Sequence, residues 1–473
     1  MSALLAAVWA APLAALLCGL FSSRWMIRLA PPAALVSAAV AIVWLQTGFG
    51  PLDLPWLFAG VRLGLDEGGA AFLFGGSLAW LMAALLAQRS LKAKELSPRF
   101  FAFFLAAMAG AQGACVAPEA GSFYTFYAVM GLAAWGLIDY HRDPKARRVA
   151  TLYLAFALLG EALILIGLLF VATGISPLPA VAWVCLIAGF GIKTGLIGFG
   201  GLLPLIYHAA PVSGAMALSG AMAAVGFLGW LRFLPLGQTE PFWGTVLMAL
   251  GGAGMVFGLL MGLTQNLCKA VLGYASVFQT GLLLAVLGAV LKNPAPWVYL
   301  AGIIPLYAVA HALIKALLFA ASEYLQQPGV LKIWRIFAWL LAALIVAAPL
   351  TGMGVLKTAL KLPLAAEAGM GAFFAAGSFG ATLLMLRFFA TLKPTHRVRA
   401  IHRERGVFDG MWLGLTAVFV AAGLAAPALA WDGAGFAAIA AALLLAGLWR
   451  LSPLGKRGFQ LPPGDWLHPF TRL

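Results

Sequence analysis

The chain has 473 residues, of which 63% are hydrophobic and only 10% are charged, whereas soluble domains carry about 25% charged residues. Its mean hydropathy is +0.99. These values exclude the soluble classes, because too few polar residues remain to cover a surface in water. Long unbroken apolar runs, rather than ten-residue alternating strands, exclude a membrane β-barrel. The composition therefore predicts an all-α polytopic membrane protein.

The net charge of +15 does not indicate a nucleic-acid partner here, because basic residues collect in the cytoplasmic loops of membrane proteins. The four cysteines, Cys18, Cys115, Cys185 and Cys268, stand singly in or beside apolar runs. This spacing predicts neither a disulfide framework nor a metal cluster. The first apolar run lacks the basic start of a signal peptide, so we expect it to remain as a mature span.

Apolar runs of the length that a bilayer requires recur through the whole chain. We predict about 15 transmembrane helices, at residues 2–21, 26–46, 68–88, 99–117, 120–139, 149–174, 180–206, 211–235, 241–263, 270–291, 295–322, 333–361, 366–392, 410–430 and 433–449.

The distribution of basic residues supports this count. Loops after odd-numbered spans, with the C-terminal tail, hold 22 of the 30 basic residues. Loops after even-numbered spans hold only four basic residues, Arg62, Arg232, Lys292 and Lys361. They also hold seven acidic residues: Asp53, Asp66, Glu67, Glu119, Glu240, Glu367 and Asp432. Because positive residues mark the cytoplasmic side, the N-terminus is predicted outside and the C-terminus inside a cell inner membrane.

Five ionisable residues fall within predicted spans: Glu161, Lys193, Lys315, Lys357 and Arg387. Arg387 lies near a helix end, where its side chain can reach the interface. An ionisable group at the centre of a bilayer is costly, so the other four are candidates for a functional pathway.

Two of these lysines lie in spans that glycine and proline interrupt. Lys193 belongs to the run 189–204 in span 7, and Lys357 belongs to the run 349–363 in span 12. Broken helices in corresponding places predict two inverted repeats, spans 4–8 and 9–13, with the pathway at the breaks. The predicted domains are residues 1–98, 99–235, 236–392 and 393–473.

Span 11 carries Tyr307, His311 and Lys315 four residues apart, and therefore on one helix face. A phenol, an imidazole and an amine in a row can pass protons where water joins them. A structural histidine and a tight glycine-lined helix contact remain alternative interpretations of these patterns.

Four stretches together resemble one family, the antiporter-like membrane subunits of respiratory complex I, Mrp-type cation/proton antiporters and membrane-bound hydrogenases. The matching stretches are Gly191-Ile-Lys-Thr-Gly195 with the motifs that follow it up to Phe233, Lys269–Ser276, His311–Phe319, and Pro349 through Lys357.

This resemblance implies a core of fourteen helices with two inverted five-helix units, and a function in moving protons or exchanging Na⁺ for protons. It implies that Lys193 is the central lysine of the first half-channel. It further implies that His311 and Lys315 form a connecting relay and that Lys357 ends the second half-channel.

The chain departs from the family pattern in the first half. Ala128 stands where a glutamate is usual, Ala224 where many members carry a second lysine, and Gly200 where a histidine is usual. Glu161 could supply the missing acid. It lies about 18 Å into span 6 from one face and Lys193 about 20 Å into span 7 from the other, so their depths nearly coincide. We therefore predict that Glu161 contacts Lys193.

The predicted function is that of an ion-translocating subunit of a multisubunit complex, with pathway residues Glu161, Lys193, Tyr307, His311, Lys315 and Lys357. No catalytic residues, cofactor or metal site are predicted. The expected partners are other membrane subunits, a peripheral cytoplasmic enzyme, protons or Na⁺, and lipid. The alternatives are an energy-coupling subunit of an inorganic-carbon uptake system paired with a carbonic-anhydrase-like protein, a non-conducting structural subunit, and a stand-alone solute carrier.

Overall fold

The structure is a computed structural model that describes residues 1–55, 60–91, 97–327, 332–392, 407–426 and 432–451, with residues 463 and 467. Most of these residues are helical, which confirms the predicted all-α class. The basic loop predicted after span 13, and most of the C-terminal tail, lie outside the described residues.

The α-helices and strands follow one another along the described chain. In order they are α1 Leu4–Leu17, α2 Ser23–Thr47, β1 Leu52–Leu54, β2 Val61–Leu63, α3 Glu67–Leu91, α4 Ser97–Cys115, α5 Ala120–Ile138, α6 Pro144–Ala172, α7 Ala180–Thr194, α8 Leu202–Ala209, α9 Val212–Ala217, α10 Ala223–Phe233, α11 Pro241–Leu263, α12 Cys268–Lys292, α13 Trp297–Leu325, α14 Lys332–Ile345, α15 Gly352–Lys361, α16 Met370–Thr391, α17 Val407–Ala425 and α18 Gly433–Leu451.

Each of the fifteen predicted spans coincides with a helix or with consecutive helical segments. Within the described part of the chain, 10 helices are long and apolar enough to cross a membrane. Three shorter apolar helices, Leu4–Leu20, Ala180–Thr194 and Gly433–Gly447, accompany them. The protein is therefore a multi-pass membrane protein, while the count of fifteen spans and the inverted repeat stay predictions.

The chain divides into two compact units, each with its own core. Unit one comprises Met1–Thr194 and Ala209–Leu234. In this unit, α6 begins at Pro144 and has the two residue types that favour a helix start. The Asp143 side chain accepts a hydrogen bond from the Ala146 backbone N–H at 2.8 Å, and proline occupies the first turn. The predicted four-part division into domains stays a prediction.

A short antiparallel hairpin in unit one was not predicted from the sequence. Strands β1 and β2 pair Asp53 opposite Arg62, whose side chains form an exposed ion pair at 3.6 Å. Strands of three residues are too short to show the alternation of apolar and polar residues that marks a strand.

Unit two comprises Gly195–His208 and Pro235–Leu473. Its central helix is α12. In the most apolar 18-residue stretch of α12, 89% of the residues are buried, whereas the corresponding share for the neighbouring α11 is 33%. The two helices pack closely through glycines: a Cβ on Gly251 would lie 2.5 Å from the carbonyl oxygen of Gly281. Such small residues let membrane helices approach until their backbones touch.

Both predicted interruptions are present. Helix α7 ends at Thr194 and α8 begins only at Leu202, with Gly195 in a left-handed conformation at φ +92°. In span 12, α14 ends at Ile345 and α15 begins at Gly352. The left-handed residues in this second break are Ala347 (φ 54°) and Leu350 (φ 61°), a conformation that costs about 1–2 kcal/mol per non-glycine residue.

Candidate ion-pathway residues

The charged groups of unit one meet where α6 and α7 pack together. The Lys193 ammonium lies 3.3 Å from Oε1 of Glu161, and their side chains are only 9% and 7% exposed. The predicted contact between these residues is therefore present. Because an unpaired charge in such a place is expensive, each group stabilises the charged form of the other.

Helix α5 supplies two further residues that the sequence analysis did not single out. The Tyr127 ring lies under the Lys193 ammonium, 4.0 Å from the ring centroid, which is a cation–π contact. One turn later, Gly131 leaves the space that the pair fills. A Cβ on Gly131 would lie 2.6 Å from Oε1 of Glu161 and 2.8 Å from Nζ of Lys193. The sequence contains one signal that relates Tyr127 to Gly131: they are four residues apart and therefore lie on the same face of α5.

The pair retains unused hydrogen-bonding capacity. Oε2 of Glu161 and the Tyr127 hydroxyl have no hydrogen-bond partner among the described residues. The Tyr153 hydroxyl donates to the carbonyl oxygen of Gly131 at 3.0 Å and so fixes α5 beside α6. A carboxylate beside an ammonium in a buried place can accept a proton and return it.

In unit two, α13 carries the predicted row of Tyr307, His311 and Lys315, and all three side chains are buried. Nζ of Lys315 donates to the carbonyl oxygen of Leu272 at 2.8 Å and to Oγ of Ser276, both on α12. These partners are neutral, and the lysine makes no ion pair in the described part of the chain.

The other two members of the row, Tyr307 and His311, contact each other and differ in their hydrogen bonds. The Tyr307 hydroxyl accepts a hydrogen bond from Nε2 of Gln279 at 3.0 Å. The His311 ring stacks on that of Tyr307, with centroids 6.5 Å apart. Neither ring nitrogen of His311 has a hydrogen-bond partner within the described ranges. Buried polar atoms of a side chain normally have a hydrogen-bond partner, which can be an ordered water molecule.

Lys357 lies on α15, the half-helix after the second break. Its Nζ donates to Oγ of Ser378 on α16, and its side chain is buried. Oγ1 of Thr351 accepts from the Gly354 backbone N–H at 3.1 Å and so caps this short helix. Like Lys315, Lys357 has a hydroxyl rather than a carboxylate as its direct partner.

Arg232, which the charge distribution predicted in an outer loop, lies in α10 instead, and its side chain is only 6% exposed. Its guanidinium donates to the carbonyl oxygens of Ala114, Cys115 and Ala117 at the end of α4, at 2.6–3.0 Å, and pairs with Asp66 at 3.1 Å. Burial raises the pKa of Asp66, but Arg232 outweighs it and the net pKa is below the ordinary 3.8. The Arg232 guanidinium therefore holds the end of α10 against the end of α4 in unit one.

No group of three or more histidine, cysteine or acidic side chains comes together among the residues described here. The four cysteines are free thiols. The candidate site accordingly consists of lysines and their hydrogen-bond and ion-pair partners.

Comparison with known proteins supplies the family. The family described as NADH:quinone oxidoreductase/Mrp antiporter, TM, matches residues 117–384, which is more than half of the chain. The chain belongs to this family. The matched region includes Glu161, Lys193, the α13 row and Lys357.

Relatives of this antiporter-like subunit come from several complexes. Hydrogenase-4 component B of Escherichia coli is 26% identical over 308 residues, which cover 59% of this chain and 45% of that protein. NADH-quinone oxidoreductase subunit N of Desulforudis audaxviator is 28% identical over 351 residues, 66% of each chain. The matched region thus spans about half the length of the first of these relatives.

Solved structures share the fold. The Mrp complex from Dietzia sp. DQ12-45-1b has a chain that superposes with a TM-score of 0.73 at 17% identity, covering 92% of this chain and 96% of that one. The membrane-bound sulfane sulfur reductase, an archaeal respiratory membrane complex, gives a TM-score of 0.72 at 17% identity, covering 94% and 98%. These antiporter-like relatives are subunits of multisubunit membrane complexes, which supports membrane-subunit partners for this chain.

Proposed function

We propose that this antiporter-like subunit moves protons, or exchanges Na⁺ for protons, across the membrane by means of its buried lysines. The observation that carries the proposal is the ion pair of Lys193 with Glu161. Insertion of a lysine at the centre of a bilayer costs about 3 kcal/mol, and such a residue therefore indicates a functional site.

The chemistry of this pair suits transport. A nearby carboxylate favours the charged form of a lysine, and withdrawal of the carboxylate favours the neutral form. Small displacements of Glu161 against Lys193 therefore change the proton affinity of the amine. The unbonded Oε2 and the Tyr127 face offer the ammonium alternative partners during such a displacement.

Unit two would continue the transport through Tyr307, His311 and Lys315 to Lys357. The neutral partners of the two lysines support this role, because hydroxyl groups can donate or accept and so accommodate either protonation state of an amine. Na⁺ could replace a proton where carboxylate, hydroxyl and carbonyl oxygens gather, which are the ligands that hard cations prefer.

Energy would come from partner subunits, because transport needs a driving reaction that this chain's lysines do not supply. Relatives named hydrogenase-4 component B, F(420)H(2) dehydrogenase subunit N and NADH-quinone oxidoreductase subunit N favour an oxidoreductase as the driving partner. An inorganic-carbon uptake complex and a non-conducting role are the alternatives that co-purification would separate.

The charge distribution supports an orientation in a cell inner membrane. With the N-terminus outside and the C-terminus inside, the basic loops face the cytoplasm. A single cysteine placed in the 140–148 loop should react with a membrane-impermeant maleimide only in inverted vesicles. Labelling of intact cells would contradict this orientation.

The direct test of the proposal is Glu161→Gln, which keeps the shape of the side chain and removes its charge. We expect ion-coupled acidification of inverted membrane vesicles to fall by about a hundredfold, the lower end of what a positioned proton-transfer group contributes. Quenching of a fluorescent acid-gradient dye measures this, normalised to the amount of chain in the membrane.

Glu119→Gln is the matched control, because among the described residues the one ion pair of Glu119 is with the half-exposed Arg62 at 3.9 Å. It should leave acidification unchanged, and Ala128→Glu added to Glu161→Gln should partly restore it. If Glu161→Gln behaves like Glu119→Gln, the first unit is not a proton path.

A further inference from the structure

The buried lysines Lys193 in unit one and Lys357 in unit two differ in their direct partners. Lys193 has a carboxylate at 3.3 Å, whereas Lys357 makes a direct hydrogen bond to Oγ of Ser378 and no ion pair with any described residue. An amine that must change its protonation state is tuned by a nearby charge. Unit two should therefore contain a counter-charge for Lys357 at longer range.

The next charge on the same face of α15 is Lys361, one turn after Lys357. Its Nζ lies 2.8 Å from Oδ1 of Asp432, and the side chains are 25% and 18% exposed. This ion pair lies at the end of the half-helix, and it is more exposed than Lys357 itself, whose exposed fraction is 3%.

Asp432 directly precedes α18, and its carboxylate is held from two sides. Oδ1 faces Lys361, while the Gly435 backbone donates to the carboxylate and a Cβ on Gly435 would lie 2.7 Å from Oδ2. Burial raises the pKa of Asp432, but the hydrogen bond and charge of Lys361, together with the charge of Lys357, bring the net pKa below its ordinary value. The carboxylate thus forms an ion pair with Lys361, which lies one turn after Lys357 on α15.

We propose that Asp432 is the acidic partner of Lys357 in unit two, and that Lys361 competes with Lys357 for its carboxylate. This inference rests on the proposed function, because it gives Lys357 the tunable counter-charge that Glu161 gives Lys193. When Lys357 is charged, two ammonium groups share one carboxylate. When the proton leaves Nζ of Lys357 for water, Asp432 pairs with Lys361 alone.

The loop after α15 contains a second ion pair that provides a matched control. Nζ of Lys292, the last residue of α12, contacts Oε1 of Glu367, and this pair has 32% and 17% exposed side chains. It matches the Lys361–Asp432 pair in charge and burial. Because Glu367 pairs with Lys292 on α12 rather than with a lysine of α15, removing it tests the effect of losing an ion pair alone.

The test compares the two partners of one ion pair in inverted vesicles from cells that make the full chain in its native complex. Asp432→Asn should lower ion-coupled acidification about a hundredfold, the lower end for a positioned proton-transfer group. Lys361→Gln should lower it at most about fivefold, the range of a part-exposed ion pair. Asp432→Glu should retain most activity, and Glu367→Gln should resemble the unaltered chain.

An ion pair with only a structural role would give equal losses for Asp432→Asn and Lys361→Gln, and that result would overturn the inference. If Asp432→Asn does not accumulate in the membrane, the double variant Lys361→Gln/Asp432→Asn leaves neither charge unpaired and should accumulate without transport. Transport by that double variant at the level of Lys361→Gln would equally overturn it.

Lys357→Ala separates this inference from the function on which it rests. If Lys357→Ala abolishes acidification while Asp432→Asn resembles Glu367→Gln, only the role of Asp432 is wrong. If Lys357→Ala itself retains acidification, the proposed function of unit two is wrong.

Discussion

The buried lysines of the two units are stabilised in different ways. In unit one, Lys193 has a carboxylate from α6 and an aromatic face from α5, with Gly131 leaving room for the charged groups. In unit two, Lys357 has the hydroxyl of Ser378 as its direct partner, and Asp432 forms an ion pair with Lys361 one turn along the same half-helix.

Within unit one, the acid beside Lys193 comes from a different helix than the family resemblance implies. The helix α5 carries Ala128 where the family resemblance implies a glutamate, yet an acid is present beside Lys193 because α6 supplies it. Space decides which helix can do so: Gly131 on α5 has no side chain, and the Glu161 carboxylate fills the position that a side chain would take.

The largest effect that would test this comparison is the loss of either central lysine. If the two lysines carry protons as proposed, Lys193→Ala and Lys357→Ala should each lower ion-coupled acidification of vesicles by at least about a hundredfold, because alanine cannot carry the proton. Lys145→Ala removes an exposed lysine at the start of α6 and should change nothing. Full coupling in both Lys357→Ala and Lys315→Ala would instead favour the non-conducting structural role.

The next effect concerns stability and sharpens the contrast between a paired and an unpaired lysine. Glu161→Gln leaves the Lys193 charge buried without its counter-ion, which should lower the free energy of unfolding by about 3–5 kcal/mol. Adding Lys193→Met should restore most of this loss, because no charge then remains. Thermal unfolding in detergent, followed by tryptophan fluorescence, measures both. A double variant as unstable as Glu161→Gln would show that the ion pair is not the cause.

The smallest expected effect comes from the space at Gly131. Gly131→Ala places a methyl group against Glu161 and Lys193 and should cost about 1–3 kcal/mol, as overpacking typically does, with a partial loss of coupling. Gly121→Ala, on the same helix, meets nothing within 4 Å and should be neutral or slightly stabilising. Equal stability of the two variants would mean that the charged pair has space to spare.

The contact between Glu161 and Lys193 could be predicted because depth in a bilayer follows from counting residues. A helix rises about 1.5 Å per residue, so two charges on adjacent spans can be placed at similar heights from the sequence alone. The direction in which a side chain points around the helix cannot be counted in the same way. Helix α5 is apolar on all sides, so no pattern showed that Tyr127 and Gly131 face the pair.

Arg232 and Asp432 show the same limit at the ends of helices. Both follow or precede apolar runs, and the charge distribution placed both in outer loops. The structure adds their partners: Arg232 is buried against three carbonyl oxygens at the end of α4, and Asp432 pairs with Lys361 on α15. These partners are 115–118 and 71 residues away along the chain, beyond the reach of any local pattern.

The amino-acid sequence was sufficient to predict the membrane class, the approximate helices, the two interruptions, the buried lysines and the contact of Glu161 with Lys193. It was sufficient because apolar length, glycine and proline, the cost of a charge in a bilayer and the rise of a helix act locally along the chain. The remaining partners became known only from the folded chain: Tyr127 for Lys193, Ser378 for Lys357, and Asp432 for Lys361. The physical reason is that hydrogen bonds and ion pairs require distances of about 3 Å, and helix packing sets those distances between residues far apart in the sequence.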